Sequence, residues 1–308
     1  DFPVSELHLL ASKHSAGKVV KFKDQDIVVE EACAEAFKGL DIVLGAAEND
    51  IAERFVDDIK AAGCVFIDNS SAFRLDPDVP LVVPEVNPED VKLHKGVIAN
   101  PNCTTTISCT AVNALNSISP IESMIVSTYQ AVSGAGAGGP KELMAEVEAE
   151  LNGGTYEPKV FQHQIAFNCI PHIDVFLEDG STKEEWKMVV ETKKIFHADI
   201  AVAPTCVRVP SLRCHAESVD VDFAEPITVE QAREALEAFD GVTVMDDPDN
   251  KVYPMPGMLE GTNDVYVGRL RKDPTIENGL QFWCVGDQIR KGAAANAVQV
   301  LRFLAENA

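Results

Sequence analysis

The stretch DIVLGAAENDIAERFVDDIKAAGCVFID, residues 41–68, decides how the chain folds. DIVLGA (41–46) and CVFID (64–68) are short apolar runs rich in branched residues, the pattern of buried parallel strands. Between them Ile51, Phe55 and Ile59 recur every four residues, which places them on one face of a helix, with Asn49 as its N-cap and Gly63 as its terminator. Two parallel strands joined by a helix require a crossover connection, so the N-terminal hundred residues are expected to form a doubly wound, Rossmann-type α/β domain.

The pattern changes further on. IESMIVSTYQ (121–130) reads as a strand, SGAGAGG (133–139) as a flexible loop and PKELMAEVEAEL (140–151) as a helix opened by proline. AVAPTCVRV, HAESVDVDF, VTVMD, DVYVGRLRK and LQFWCVGD then supply strands, and TVEQAREALEAF an amphipathic helix. That mixture predicts an α+β domain with a broad sheet. The closing IRKGAAANAVQVLRFLAENA, with Ala294, Val298 and Leu301 at helical spacing, is assigned to the first domain. The expected division is therefore residues 1–102 with 287–308 for the nucleotide-binding domain and 103–286 for the catalytic domain.

Composition excludes several classes of function. A net charge of -23 repels nucleic acid and anionic membrane alike. No apolar run approaches the roughly 18–20 residues that cross a bilayer, and no basic, signal-like start precedes the fold. Eight cysteines are scattered without a C-x-x-C pair in a chain too large to be a stapled secreted domain, so free thiols, a cytoplasmic location and no bound metal are expected.

Among these cysteines Cys103 stands apart. In NPNCTTT (100–106) it follows a strand end and opens a helix, where backbone N–H groups and the positive helix end favour a thiolate. A small buried packing residue is the alternative. Of seven histidines, His215 opens an alternating strand soon after Arg208 and is the candidate base. Arg208 itself suits a carboxylate, or a structural contact. Glu184 and Lys187 lie three apart on one helical face, which ordinarily means a solvated ion pair.

Taken together, LLASKHSAGK, DNSSAFR, PLVVPEVNPED, ANPNC, VSTYQAVSGAGA, FNCIPHIDVF, CVRVP, HAESV, VYPMP, VGRLRKD and DQIRKGAAANAVQ resemble aspartate-β-semialdehyde dehydrogenase, in order and over nearly the whole chain. The resemblance implies NADPH-dependent reduction of β-aspartyl phosphate to aspartate semialdehyde with release of phosphate, a step toward lysine, threonine, methionine and diaminopimelate. It implies Cys103 as the nucleophile that forms a thioester, His215 as general acid and base, and Gln130 as the group orienting the acyl substrate. Arg208 matches the arginine on the substrate α-carboxylate and Glu184 the acid facing its amino group. Lys187 and Arg74 match the phosphate-holding cations, and Asn102 a positioning group beside the thiol.

For the cofactor the resemblance implies Ser133 and Gly134 beside the nicotinamide, and Gln288 in contact with it. Ser12, His14 and Ser15 stand at the end of LHLLAS, with no acid there to grip a ribose hydroxyl, so NADP(H) is expected over NAD. The partners implied are the small-molecule substrate, phosphate and a second copy of the chain, as a homodimer or homotetramer.

Three departures from the family stand out. The chain opens at Asp1, almost directly into a strand, so the first strand and glycine-rich turn, a unit of roughly 30 residues, are expected to be missing and NADPH binding by the chain as written to be weak. His14 stands where the family has an arginine facing the 2′-phosphate, and GAAEND (45–50) replaces a glycine-rich stretch. Of the rivals, N-acetylglutamyl-phosphate reductase has glycine before its cysteine where this chain has Asn102, and glyceraldehyde-phosphate dehydrogenase has no use for Glu184 and Arg208. A silent dimerising fragment is a third reading, opposed by the intact set Cys103, Gln130, Arg208 and His215.

Overall fold

The computed structural model describes residues 2–307. The chain divides into two compact units, one made of the residues up to Pro80, Glu89–Asn100 and those from Ala297 onward, the other of Leu81–Pro88 and Pro101–Asn296. Residues 81–88, 101–102 and 287–296 thus join the second unit, where the sequence pattern had placed them with the first.

In the first unit, β1 (Leu9–Ala11), β2 (Val19–Phe22) and β3 (Gln25–Glu31) form a sheet in the order β1-β3-β2, with β1 and β3 parallel. The deciding stretch forms β4 (Ile42–Gly45), α1 (Asn49–Ala61) and β5 (Val65–Asp68), and β6 (Val97–Ala99) completes a parallel sheet in the order β4-β5-β6. Helix α1 buries Ala52, Phe55 and Ile59, and Phe55 meets Phe37 edge to face at 5.5 Å; Ile51 is exposed. Gly63, at φ +85°, takes the left-handed conformation that ends a helix cheaply.

Asn49 corrects an expectation. Glu48 is the N-cap and makes no side-chain cap bond, whereas the Asn49 amide is engaged by Ser71, accepting from its N–H at 2.9 Å and donating to its Oγ at 3.0 Å. The two sheets of this unit are separate, and a cavity of about 1550 Å³ is lined by Leu9 and Leu10 of β1, Val43 and Leu44 of β4, and Phe55 and Leu301.

The second unit contains α2 (Cys103–Asn116), β7 (Ile121–Gln130), α3 (Gly138–Leu151), α4 (Lys183–Phe196), β8 (Ala201–Arg208), β9 (His215–Phe223), α5 (Val229–Ala238), β10 (Val242–Val244), β11 (Val265–Lys272) and β12 (Gly279–Gly286). Its six strands run in the order β10-β11-β12-β9-β7-β8, with β9 antiparallel to both neighbours. His215, Glu217, Val219, Val221 and Phe223 alternate onto one fully buried face of β9, and Ile107, Val112 and Leu115 of α2 share a core with its apolar members. Helix α6 (Ala295–Glu306) closes the chain, burying Ala297, Val300 and Leu301 while Val298 is exposed and Ala294 belongs to the preceding π-helical turn.

Local chemistry explains why α2 is a helix despite three consecutive threonines, which ordinarily disfavour one. Asn102 caps it by accepting from the N–H groups of Thr104 at 3.0 Å and Thr105 at 3.3 Å, and the Thr106 hydroxyl donates to the Asn102 carbonyl at 2.9 Å. On α3, the buried carboxylates of Glu142 and Glu146 accept N–H bonds from Lys159, Val160, Phe161, Ile165 and Ala166. These bonds fix the loop that lays the Phe161 ring 5.9 Å from the Arg208 guanidinium.

Candidate active site

Cys103 is the first residue of α2, partly buried, at the helix end that favours negative charge. Gly292, in the π-helical turn Arg290–Ala294, lies against it so closely that a Cβ there would stand 2.8 Å from the Cys103 Cβ and 3.2 Å from its Cα. Only a residue without a side chain fits beside the thiol.

Three adjacent strand ends bring together the next candidates. Gln130 ends β7 and pairs in register with Arg208, which ends β8, while His215 begins β9. Arg208 and His215 share one anchor, residue 131: the guanidinium Nη1 donates to the Ala131 carbonyl at 2.7 Å, and the Ala131 N–H donates to His215 Nδ1 at 3.0 Å. Because Nδ1 accepts that bond, a neutral imidazole carries its proton on Nε2, a buried atom with no partner. Burial, aided by the charge of Arg208, holds the His215 pKa well below the ordinary histidine value. Burial likewise lowers that of Arg208, opposed by the charges of Cys103 and Glu184. Gly134 sits over both side chains: a Cβ there would stand 2.8 Å from Arg208 Nη1 and 3.1 Å from His215 Cε1.

Helix α4 supplies the acidic side. A capping box, Thr182 with Glu185, fixes its first turn, and Glu184 in that turn is buried. Glu184 Oε1 accepts from Asn102 Nδ2 at 2.9 Å and Gln130 Nε2 at 3.4 Å, and Oε2 lies 3.3 Å from Lys187 Nζ. The pair expected to be solvated is in fact largely buried, with side-chain exposures of 8% and 14%. A second carboxylate, Asp174, binds Lys187 at 2.8 Å. Burial opposes the charge on Lys187, but the two acids prevail and raise its pKa.

Gln288 is buried, accepts from the Cys214 N–H at 2.9 Å and donates to Ser133 Oγ at 2.5 Å, so the second unit gathers Ser133, Gly134 and Gln288 around the histidine loop. Arg74, Ser12, His14 and Ser15 lie in the first unit. Arg74 is buried and donates to the Asn69 carbonyl at 2.9 Å. Ser12, Lys13, His14 and Ser15 form the turn that follows β1, a run of hydroxyl and basic side chains with no carboxylate among them.

Four contributors were not singled out by sequence pattern. Glu191 accepts from the Asn102 N–H at 2.7 Å, and it lies on the buried face of α4 with Glu184, Met188, Thr192 and Ile195. Asp174, at φ 68°, and Gly292 sit inside stretches whose individual residues carry no spacing signal. The Ala131 backbone is invisible to any side-chain motif.

Comparison with known proteins places the chain in a family. Residues 1–94 match the family described as semialdehyde dehydrogenase, NAD binding domain, and residues 112–291 the semialdehyde dehydrogenase dimerisation domain. The sequence is 51% identical to aspartate-semialdehyde dehydrogenase of Aquifex aeolicus over 310 residues, 99% of this chain and 91% of that protein. The fold is similar to the crystal structure of aspartate semialdehyde dehydrogenase II from Vibrio cholerae complexed with ASA (TM-score 0.96, 43% identity, 99% of this chain and 91% of that one). It is also similar to the Candida albicans enzyme with NADP (TM-score 0.73, 25% identity, 97% and 91%). With both domains of the family matched and 51% identity to a relative over nearly its whole length, the chain belongs to the aspartate-semialdehyde dehydrogenase family.

Proposed function

We propose that this enzyme reduces β-aspartyl phosphate to aspartate semialdehyde with NADPH, through an acyl group carried on Cys103. The observation that supports the assignment most strongly is that Arg208 and His215 share the Ala131 backbone as anchor beneath Gly134, leaving the buried Nε2 of His215 unpartnered.

The Cys103 thiolate attacks the acyl carbon, and the C–O bond to phosphate breaks with its electrons leaving on phosphate, giving a thioester. Gln130 donates to the acyl oxygen. Arg208 holds the α-carboxylate with its planar fork, Glu184 the ammonium and Lys187 the phosphate, and Arg74 of the first unit is a separate candidate cation for phosphate. When bound, the nicotinamide supplies a hydride to the acyl carbon. His215, with its proton on Nε2, acts as the acid by donating a hydrogen bond to the oxygen that becomes negative, and that oxyanion re-forms the carbonyl as the C–S bond breaks, its electrons returning to the Cys103 thiolate. The lowered pKa of His215 suits this task, since it keeps the imidazole neutral with an Nε2–H to donate.

Ser133, Gly134 and Gln288 fit the nicotinamide end, where the missing Cβ of residue 134 leaves room above His215. Ser12, His14 and Ser15 fit a 2′-phosphate, because hydroxyl and imidazole donors stand where an acid would be needed for a free ribose hydroxyl. NADPH is therefore expected to exceed NADH in kcat/KM by about tenfold; equal efficiencies would overturn this cofactor assignment. The enzyme acts as a homodimer, a reading supported by the dimerisation-domain match, and in the cytoplasm, a reading supported by eight cysteines that are all free thiols.

Steady-state kinetics test the assignment. Aspartate semialdehyde, NADP and phosphate together are expected to give NADPH, with omission of phosphate or Cys103→Ala abolishing turnover. Turnover that persists without phosphate would contradict it.

A further inference from the structure

Lys187 is expected to hold phosphate, yet its ammonium is already occupied. Asp174 Oδ2 stands 2.8 Å and Glu184 Oε2 3.3 Å from Nζ, so two carboxylates share one cation and the trio carries a net negative charge. An ammonium has three donors, and two are taken. The two acids are not equivalent. Glu184 is 8% exposed and its other oxygen is held by Asn102 and Gln130, so it is fixed in place. Asp174 is 29% exposed, and its other oxygen accepts only the N–H of Val175, at 2.9 Å. Its residue also takes a left-handed backbone, φ 68°, which aims a short side chain back at α4.

We infer that Asp174 is a built-in counter-anion for Lys187, which competes with phosphate for the ammonium and thereby sets how tightly the enzyme holds phosphate. It acts through Lys187 and is a positioning residue, not a catalytic one. The inference rests on the assignment of Lys187 to phosphate. Its chemistry is simple: an incoming phosphate meets a carboxylate of like charge, and whatever affinity it gains from Lys187 is reduced by displacing or repelling Asp174. Burial opposes ionisation of Asp174, but the bonds from Lys187 and Val175 and the nearby positive charges hold its pKa below the ordinary carboxylate range, so the competitor is charged at physiological pH. A looser grip also lets phosphate leave after the acyl group has passed to Cys103.

The test is Asp174→Asn, chosen because asparagine tolerates the left-handed backbone and keeps the size of the side chain. Binding of inorganic phosphate is measured by calorimetry on the intact chain, and the KM values for phosphate and for aspartate semialdehyde are measured in the phosphorylating direction. The variant is expected to bind phosphate about tenfold more tightly and to lower the KM for phosphate alone, with the KM for aspartate semialdehyde within about twofold of the parent. Asp174→Glu, which keeps the charge, is expected to retain parental phosphate binding. Phosphate binding that is unchanged or weaker in Asp174→Asn overturns the inference, as does a joint shift of both KM values, which marks a structural role. If the parent shows no phosphate-dependent turnover while calorimetry still shows tighter phosphate binding in the variant, the role of Asp174 stands and the assigned reaction falls. If neither protein binds phosphate, the role of Asp174 falls.

Discussion

Gly292→Ala is expected to fold and to lose about a hundredfold in kcat, because a single methyl group displaces the nucleophile. The new Cβ would stand 2.8 Å from the Cys103 Cβ, and since Cys103 Cα lies only 3.2 Å away, rotating the thiol alone does not relieve the contact. The helix end or the π-helical turn must shift by some tenths of an ångström, and misplacement of that order at a reacting atom costs about 10²-fold. Stability changes less. Overpacking costs about 1–3 kcal/mol, offset in part by the helical preference of alanine over glycine, about 1 kcal/mol. Rate measurement on the folded variant, with circular dichroism to confirm the fold, decides the matter. A kcat within about threefold of the parent would mean that the contact carries no catalytic weight.

The second large effect is on stability. Glu217 sits on β9 between Thr128 of β7 and Cys284 of β12, fully buried, and neither of its carboxyl oxygens has a partner. Burial raises its pKa well above the ordinary carboxylate value. A folded pKa raised above the unfolded one, about 4.3, means that the contribution to stability is fully present below that pH and is lost as pH rises through the folded pKa. Glu217→Met, of similar length and without polar atoms, is expected to stabilise the protein by about 1–3 kcal/mol. Urea unfolding at pH 5.5 and pH 8.5 is expected to show a larger gain at the higher pH, since the parent weakens there and the variant does not. A variant less stable than the parent at both pH values would show that Glu217 has a partner worth more than its burial costs.

These two residues illustrate what the sequence discloses. The strands β4 and β5 and helix α1 are legible from their apolar patterns, and Phe55 and Ile59 point inward as their spacing predicts, but β4, expected to be buried, is only partly so and Leu44 is exposed. Cys103 at a helix start is legible because a strand end followed by a helix leaves a local pattern, whereas the capping role of Asn102 is shown only by the structure. The capping role of Asn49 is not borne out because Ser71, distant in sequence, captures its amide. The burial of Glu184 and Lys187 is equally hidden: helical spacing places them on one face but does not say that Asn102, Gln130 and Asp174 cover it. Gly292 and the Ala131 backbone lie beyond any pattern of side chains, since one acts by lacking a side chain and the other through its peptide groups. Tertiary proximity, not local propensity, is what completes the site.

The central claim is a covalent acyl group on Cys103, and intact-protein mass spectrometry tests it most directly. Enzyme mixed with aspartate semialdehyde and NADP in phosphate-free buffer, then quenched in acid, is expected to carry one aspartyl group on the peptide containing Cys103. Addition of phosphate before the quench is expected to discharge it, and Cys103→Ala is expected never to acquire it. An unmodified Cys103 under these conditions, or an adduct that phosphate does not remove, would contradict the mechanism.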